Sequence, residues 1–412
     1  VGNLFFFKYF YFFSRVLFDL TGYPFFKDVP LHIQIALPLA VSFYTFQMIA
    51  YTVDLYKEKE TKLRPFEEYL SFIVFLPILI AGPILRKTDY FPQIENGIKP
   101  NKDQIQRACY LMMSGLTKKI LLADPLMTVL SPLYSEPTHF SGGMIVLSGI
   151  VYVLQVYLDF SGLSDMARSL GLFLGFELPE NFGAPFFATS LRELWTRWHI
   201  SLSQWLRDYI YFPLGGSKVA DSKVYRNLVV TMAIGGFWHG ADYTFVTWGV
   251  YLGLMLCLER YLEKARGYNL TPDSFGIFFI FKASLVFMIF AISGIMFRSE
   301  SGTKMVQALM GIFSQGNLSF YSLLNHEGYF WLAEGMDFIK PGYFSLNSLT
   351  GYERIGAVFL FTFFFHYIQY KPENMSVFRK YDSILIPILG VGLALSLAIA
   401  SQDGGEFIYF KF

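Results

Sequence analysis

The sequence predicts an all-α, polytopic integral membrane protein, and three observations carry that expectation. Of its 412 residues, 54% are hydrophobic, 19% aromatic and only 16% charged, against roughly 25% charged residues in ordinary soluble domains. Apolar runs of the roughly 20 residues that cross a bilayer as a helix recur along the chain. Two further apolar stretches are interrupted by proline or glycine, which a membrane tolerates only where neighbouring protein or a water-filled cavity satisfies the freed backbone groups.

Taken in order, the apolar runs predict spans near 31–55, 107–130, 143–175, 243–260, 275–297, 354–370 and 382–400. The interrupted stretches are "LSFIVFLPILIAGPILR" at 70–86, with Pro77, Gly82 and Pro83, and "NLVVTMAIGGFWHGA" at 227–241, which ends in glycines. Together they predict one membrane domain over 1–412 with broken or re-entrant helices in its core. The opening "VGNLFFFKYFYFF" has no methionine, no basic leader and no small-residue cleavage site, so it reads as an interior start rather than a signal peptide.

Lysine and arginine in short loops set orientation. Basic residues cluster at 57–64, 218–226, 260–266 and 371–380, whereas 299–352 holds only Lys304 and Lys340. The clusters are expected in the cytoplasm, with 299–352 and the C-terminus outside. On this scheme 227–238 rises from the basic loop by about 18 Å at about 1.5 Å per residue, into a hydrocarbon core of about 30 Å. His239 is then expected past mid-membrane at a hairpin turn, where Gly235, Gly236 and Gly240 allow the turn and a close approach of other chains.

Composition also excludes function classes. A net charge of +1 lacks the basic character of a nucleic-acid binder. The two cysteines, Cys109 and Cys257, lie in apolar runs and provide neither a disulfide framework nor a metal site. No G-x-S-x-G, phosphate-binding loop, H-E-x-x-H or paired C-x-x-C occurs, so hydrolase, nucleotidase and zinc-protease readings lack their scaffolds. Two histidines without a cysteine or carboxylate set make a poor metal site, and none is expected.

The chemistry-bearing candidates are polar groups in apolar surroundings. His239 in "GGFWHGADYTF" is either a satisfied core residue or a functional one, and the membrane setting favours function because ionisable groups there usually line a site. In "SLRELWTRWHISLSQWLRDYIYFPLGG" (190–216) a helical period places Leu191, Trp195, Trp198, Leu202, Trp205 and Tyr209 on one stripe. Arg192, Thr196, His199, Ser203 and Arg207 form a neighbouring polar stripe. This reads as one amphipathic interfacial helix, either a simple anchor or a site for a phosphate-bearing donor. In "YLDFSGLSDMARSLG" (157–171) Asp165 is expected to pair with Arg168 three residues on. Asp159 has no such local partner, so it lines a cavity or meets a tertiary partner. Imidazole, with an ordinary pKa near neutrality, suits deprotonation of an alcohol that attacks an activated acyl group.

Five long segments resemble the membrane-bound O-acyltransferase superfamily: "LPLAVSFYTFQMIAYTVDLY" (37–56), "FLPILIAGPILRKTDYFPQI" (75–94), "LDFSGLSDMARSLGLFLGFELPENFGAPF" (158–186), "LWTRWHISLSQWLRDYIYFPLGGSK" (194–218) and "TMAIGGFWHGADYTFVTWG" (231–249). They are most similar to its alginate O-acetyltransferase branch, with peptidoglycan-acetylating and teichoic acid D-alanylating relatives. The resemblance is dense over 30–260, and the terminal "FIYFKF" also resembles that branch. It implies a helical fold around a central tunnel, open to the cytoplasm on one side and to the exterior on the other. It also implies that His239 is the principal catalytic histidine and His199 the second. Trp238, Asp159, Ser161, Arg197, Trp198, Ser203 and Arg207 become candidates for lining the tunnel or binding the donor.

The implied activity is transfer of an acetyl or other small acyl group from a cytoplasmic thioester, acetyl-CoA, for O-acetylation of an extracytoplasmic polysaccharide. No bound cofactor is expected. The implied partners are the acyl-CoA donor, an extracytoplasmic acetyltransferase, membrane lipids and the polysaccharide acceptor, and the implied location is a bacterial inner membrane. Such proteins carry apolar spans before "FFKYFYFF", which agrees with an interior start. Two rival readings remain at this stage: a transporter or flippase, which shares discontinuous helices, and an inactive scaffold for a secreted transferase.

Overall fold

A computed structural model of the protein describes residues 2–32, 35, 38, 40–58, 63–79, 81–266, 276–314, 351–370 and 390. Among the described residues the structure is helical, without strands. Its principal helices are α1 (Phe10–Thr21), α2 (Val41–Glu58), α3 (Phe66–Ile73), α4 (Lys102–Leu116), α5 (Gly142–Phe173), α6 (Leu191–Arg197), α7 (Ile200–Leu206), α8 (Asp221–His239), α9 (Tyr243–Arg266), α10 (Ile277–Arg298), α11 (Gly302–Ser314) and α12 (Gly351–Tyr370). By length and composition α5, α9 and α10 are each able to cross a membrane.

The core is built around α5. Its 32 residues begin at Gly142, after an N-cap Ser141 whose hydroxyl accepts from the Met144 amide, satisfying one of the donors that a helix start leaves open. Most of α5 is buried, so other helices surround it on nearly every face. Small residues make that possible: a Cβ on Gly149 would lie 2.5 Å from the Ala291 carbonyl of α10, and one on Gly115 of α4 would lie 2.5 Å from the Gly162 carbonyl. Helix backbones meet this closely only where side chains are absent. Around these contacts Tyr152, Leu158 and Phe160 of α5 join Phe186, Trp198 and Phe290 in the main apolar cluster.

Helices α8 and α9 form an antiparallel hairpin held at similarly short range. A Cβ on Gly236 would sit 2.2 Å from the Phe245 carbonyl, and one on Gly249 would sit 2.2 Å from that of Met232. The stretch 227–241, expected to be broken, is instead the end of a continuous 19-residue helix that starts at Asp221. Gly235 and Gly236 lie inside it as packing positions, and the chain leaves the helix only at Gly240. Gly240 has φ −160, an extended backbone open to any residue. What it supplies is room, since a Cβ there would meet the Phe245 ring at 2.0 Å.

The other expectations fare unevenly. The runs 143–175, 243–260, 275–297 and 354–370 correspond to α5, α9, α10 and α12, whereas 382–400 lies outside the described residues apart from residue 390, as do 315–350 and 371–380. In the run 31–55, Leu31 and His32 end the helix Pro24–His32, and a second helix, α2, starts at Val41 after a left-handed Ala40 with φ 59; Pro38, three residues before α2, cannot donate to a helical ladder. The broken stretch 70–86 is broken as expected. After α3 comes a single turn, Leu76–Leu79, and from Ala81 to Arg86 the chain is non-helical, with the Ile84 amide donating to Ser201 Oγ at 3.0 Å.

Candidate active site

His239 is the last residue of α8 and is 7% exposed. Three aromatic rings enclose its imidazole: Trp238 at 4.8 Å between centroids, Phe297 at 5.2 Å and Trp248 at 5.3 Å. Trp248 is fixed in turn by donating Nε1 to Ser293 Oγ at 3.2 Å. A helix end leaves carbonyls without intrahelical partners, and here the N-terminal segment supplies donors to them. Tyr9 donates its hydroxyl to the Phe237 carbonyl at 3.2 Å, while Lys8 Nζ donates to those of Trp238 at 2.6 Å and His239 at 3.2 Å. In the hairpin turn, Asp242 accepts from the Thr244 amide and pairs with Arg15 of α1 at 2.7 Å.

The segment 190–216 is not one helix. It breaks at Trp198 and His199 into α6 and α7, and a π-helical turn, Arg207–Tyr211, follows. His199 takes a left-handed conformation, φ 42 and ψ 55, which costs a non-glycine residue roughly 1–2 kcal/mol. The break removes His199 from the expected polar stripe and buries it to 1% exposure, although Arg192 and Arg207 of that stripe stay exposed. Its Nδ1 lies 3.2 Å from Asn181 Oδ1. The edge of its ring meets Phe160 at 4.7 Å, and Trp238 lies 6.1 Å away. The indole of Trp238 therefore neighbours both histidines, and it is itself held by Phe46 at 5.3 Å and Phe43 at 5.7 Å.

The remaining sequence candidates divide. Asp159, 2% exposed on α5, pairs with Lys119 at 3.1 Å, and Lys119 also binds Asp124 at 2.6 Å; this tertiary cation answers the missing local partner. Asp165 does not pair with Arg168 as expected. It binds Lys118 at 2.7 Å and Ser114 at 3.0 Å, while Arg168 approaches Glu180 at 3.8 Å. Both partners of Asp165 come from the neighbouring stretch 114–118 rather than from its own helix. Ser161 is buried on α5. Trp198 packs its ring on Phe290 and Phe182, and its carbonyl accepts from Ser203 Oγ at 3.1 Å. Arg197 pairs with Glu193 and donates to the Gly183 carbonyl at 3.0 Å. Arg207 pairs with Asp208 at the surface, 2.7 Å away, and among the described residues no hydrogen bond or ion pair joins its side chain to either histidine.

The sequence reading passed over His366. It is fully buried on α12, donates its Nδ1–H to the Thr362 carbonyl at 2.9 Å, and stacks on Phe186 at 4.9 Å. Its signal was present, since a histidine inside the apolar run 354–370 is costly in the same way as His239. Among the described residues no group of three or more His, Cys, Asp or Glu side chains could hold a metal ion.

Two buried imidazoles beside one indole, at the end of a glycine-packed hairpin, form an arrangement that can move protons with little water present. Comparison with known proteins adds the family. The model of the membrane-bound O-acyltransferase family matches residues 58–301, a stretch that contains both histidines. The chain belongs to the membrane-bound O-acyltransferase family. With three helices among the described residues suited to crossing a bilayer, this family member is an integral membrane protein.

Among its relatives, the "Probable alginate O-acetylase AlgI" of Pseudomonas putida is 37% identical over 69% of this chain and 56% of that protein. The peptidoglycan O-acetyltransferase of Helicobacter pylori is 34% identical over 68% of this chain and 58% of that protein. The teichoic acid D-alanyltransferase of Streptococcus thermophilus is 28% identical over 56% and 59%. The chain thus spans little more than half the length of these membrane-bound O-acyltransferase relatives.

Proposed function

We propose that this protein is an O-acyltransferase that moves an acetyl or other small acyl group from a cytoplasmic thioester, acetyl-CoA, toward an extracytoplasmic polysaccharide. The observation that carries the reading is the placement of His239 and His199 beside Trp238, buried within the family-matched region. The acyl-transferring names of the relatives support the reaction class. The chain would work as a single polytopic domain over 1–412, with 30–260 as its core, in the inner membrane of a bacterium.

In this reading His239 takes the proton of an acceptor hydroxyl. The acceptor oxygen forms its bond to the acyl carbon, the carbon–sulfur bond breaks, and the proton passes from the imidazolium to the departing thiolate. Donor and acceptor enter from opposite sides along a tunnel that the family resemblance implies, and the two meet at the histidines. His199 orients the donor or shares the proton. A separate extracytoplasmic transferase passes the group on to the polysaccharide.

The test uses sealed inside-out vesicles given acetyl-labelled acetyl-CoA, with wild type and His239→Ala at matched expression. Label in the lumen with wild type, reduced at least about 100-fold in the variant, is the expected result, since general-base catalysis contributes roughly 10²–10⁴. Equal lumenal label in both would make His239 a structural residue. Translocation of intact donor without a new covalent bond would mark a transporter instead.

A further inference from the structure

The hydrogen bonds around His199 fix more than its position. Asn181 lies in the chain between α5 and α6, is buried, and meets the start of α7 with two different oxygens. Its backbone carbonyl accepts from the Ile200 amide at 2.9 Å, and its side-chain Oδ1 accepts from the Ser201 amide at 3.2 Å. These are the first two amides of α7, which the helix itself leaves open. His199, at the cap position, offers no side-chain hydrogen bond to the helix. Asn181 therefore does from a distance what a capping residue ordinarily does in sequence.

This role settles which way the amide points. The Ser201 amide can only donate, so the atom facing it is the oxygen; the opposite flip would set two N–H groups against each other. On its other side Asn181 Nδ2 donates to Ser164 Oγ at 3.4 Å. Ser201 Oγ is committed in the same sense, because it accepts from the Ile84 amide at 3.0 Å and gives its own proton to Asn181 Oδ1 at 2.9 Å. The atom 3.2 Å from His199 Nδ1 is thus an acceptor held by two independent donors. A bare ring nitrogen there would place lone pair against lone pair, so Nδ1 carries the proton. Nε2 is buried and has no hydrogen-bond partner among the described residues; a second proton there would be an orphaned donor.

We propose that Asn181 is a positioning residue that locks His199 in the Nδ1–H tautomer, so that His199 meets its ligand at Nε2 as a hydrogen-bond acceptor for an O–H or N–H group. The assignment of a ligand to that nitrogen rests on the acyltransferase reading, whereas the tautomer does not. On this basis His199 cannot begin the reaction as a proton donor through Nε2. It takes a proton, or holds a ligand by its proton, and only then has one to pass on.

Histidine nitrogen-15 spectra of the full chain in lipid nanodiscs test the assignment, because protonated and bare ring nitrogens resonate apart. The His199 signals are those lost in His199→Gln. In wild type they are expected to report Nδ1–H in at least a ten-to-one excess. Asn181→Asp, which keeps the acceptor, retains that excess, and Asn181→Leu loses it. A wild-type His199 protonated on Nε2 overturns the proposal even if Asn181→Leu fails to fold, and so does an unchanged tautomer in a folded Asn181→Leu.

Vesicle assays on the same variants are expected to show at least a tenfold greater loss of acyl transfer for Asn181→Leu than for Asn181→Asp. Equal transfer by the two variants overturns the catalytic part of the proposal. If the spectra behave as expected while His239→Ala transfers normally, the acyltransferase reading fails and the Asn181–His199 lock stands.

Discussion

Lys8 and His239 are 231 residues apart in sequence, yet Lys8 Nζ donates to the His239 carbonyl at 3.2 Å, to the Trp238 carbonyl at 2.6 Å and to Ser42 Oγ at 3.3 Å. The three donors of one ammonium are matched by three acceptors, two of them at the C-terminal end of a helix, where a cation is favoured by the helix dipole. The N-terminal segment thereby fixes the height and direction of the histidine at the end of α8.

Replacing Lys8 by methionine preserves the aliphatic stem and removes the donors. Leaving these buried carbonyls unsatisfied is expected to cost about 1–3 kcal/mol, visible as a lower unfolding midpoint in detergent. Acyl transfer should fall as His239 loses its anchor. Unchanged stability and transfer in Lys8→Met would show that the cap is dispensable.

The α8–α9 hairpin predicts sharp differences among glycines. Gly236→Ala forces a Cβ to within 2.2 Å of the Phe245 carbonyl, and backbone cannot yield as a flexible side chain can. Overpacking of this kind costs about 1–3 kcal/mol or more. Gly276→Ala, at an exposed position where a Cβ would meet no atom of the described residues within 4 Å, should leave the unfolding midpoint within about a degree of wild type, as surface changes of up to about 0.5 kcal/mol do. Equal midpoints for the two variants would refute the close packing.

His199 separates stability from chemistry. Glycine accepts φ 42 without the cost that alanine bears, so His199→Gly should exceed His199→Ala in stability by about 1 kcal/mol. Both should lose acyl transfer to a similar extent if the imidazole matters. Thermal unfolding ranks the first comparison and the vesicle assay the second.

The Lys119–Asp159 pair, 3.1 Å apart and buried between α5 and the π-helical turn Thr117–Ala123, predicts a non-additive pair of variants. Removing Lys119 alone leaves a buried charge, at a cost of about 3–5 kcal/mol. The combined Lys119→Met and Asp159→Asn protein should recover part of that loss. If the recovered protein also transfers acyl groups at near wild-type rates, Asp159 is a structural residue and leaves the donor-binding candidates.

Outside the spanning segments, the hydrogen bond from the Arg107 guanidinium holds the Glu177 carboxyl below its usual range, with one arm of the contact at 3.1 Å. A carboxylate depressed in the folded state stabilises above its unfolded pKa, near 4.3, and that contribution fades as pH falls through the lower folded value. Both groups are partly exposed, so the effect stays below about 1 kcal/mol. The unfolding midpoints of wild type and Glu177→Gln should differ by a constant small amount above about pH 6 and converge as the pH falls below about 4. A difference that grew on acidification would reverse the sign.

The sequence by itself determined the class of the protein and the positions of α5, α9, α10 and α12, because a hydrocarbon-length apolar run has one stable backbone form in a bilayer. That is why 143–175 and 275–297 could be read almost to the residue. It also singled out His239 and His199, since an ionisable group in such a run is costly enough to need a reason. The tertiary structure alone decided what surrounds them. Periodicity read 190–216 as one amphipathic helix, and nothing local announced that His199 would adopt φ 42; the break is held by Asn181, 18 residues earlier. Asp165 chose Lys118 over Arg168, and Lys8 reached across the chain to His239. Helix formation follows from neighbours in sequence, whereas the partners of buried polar groups follow from which helices pack together, and that is settled only when the chain has folded.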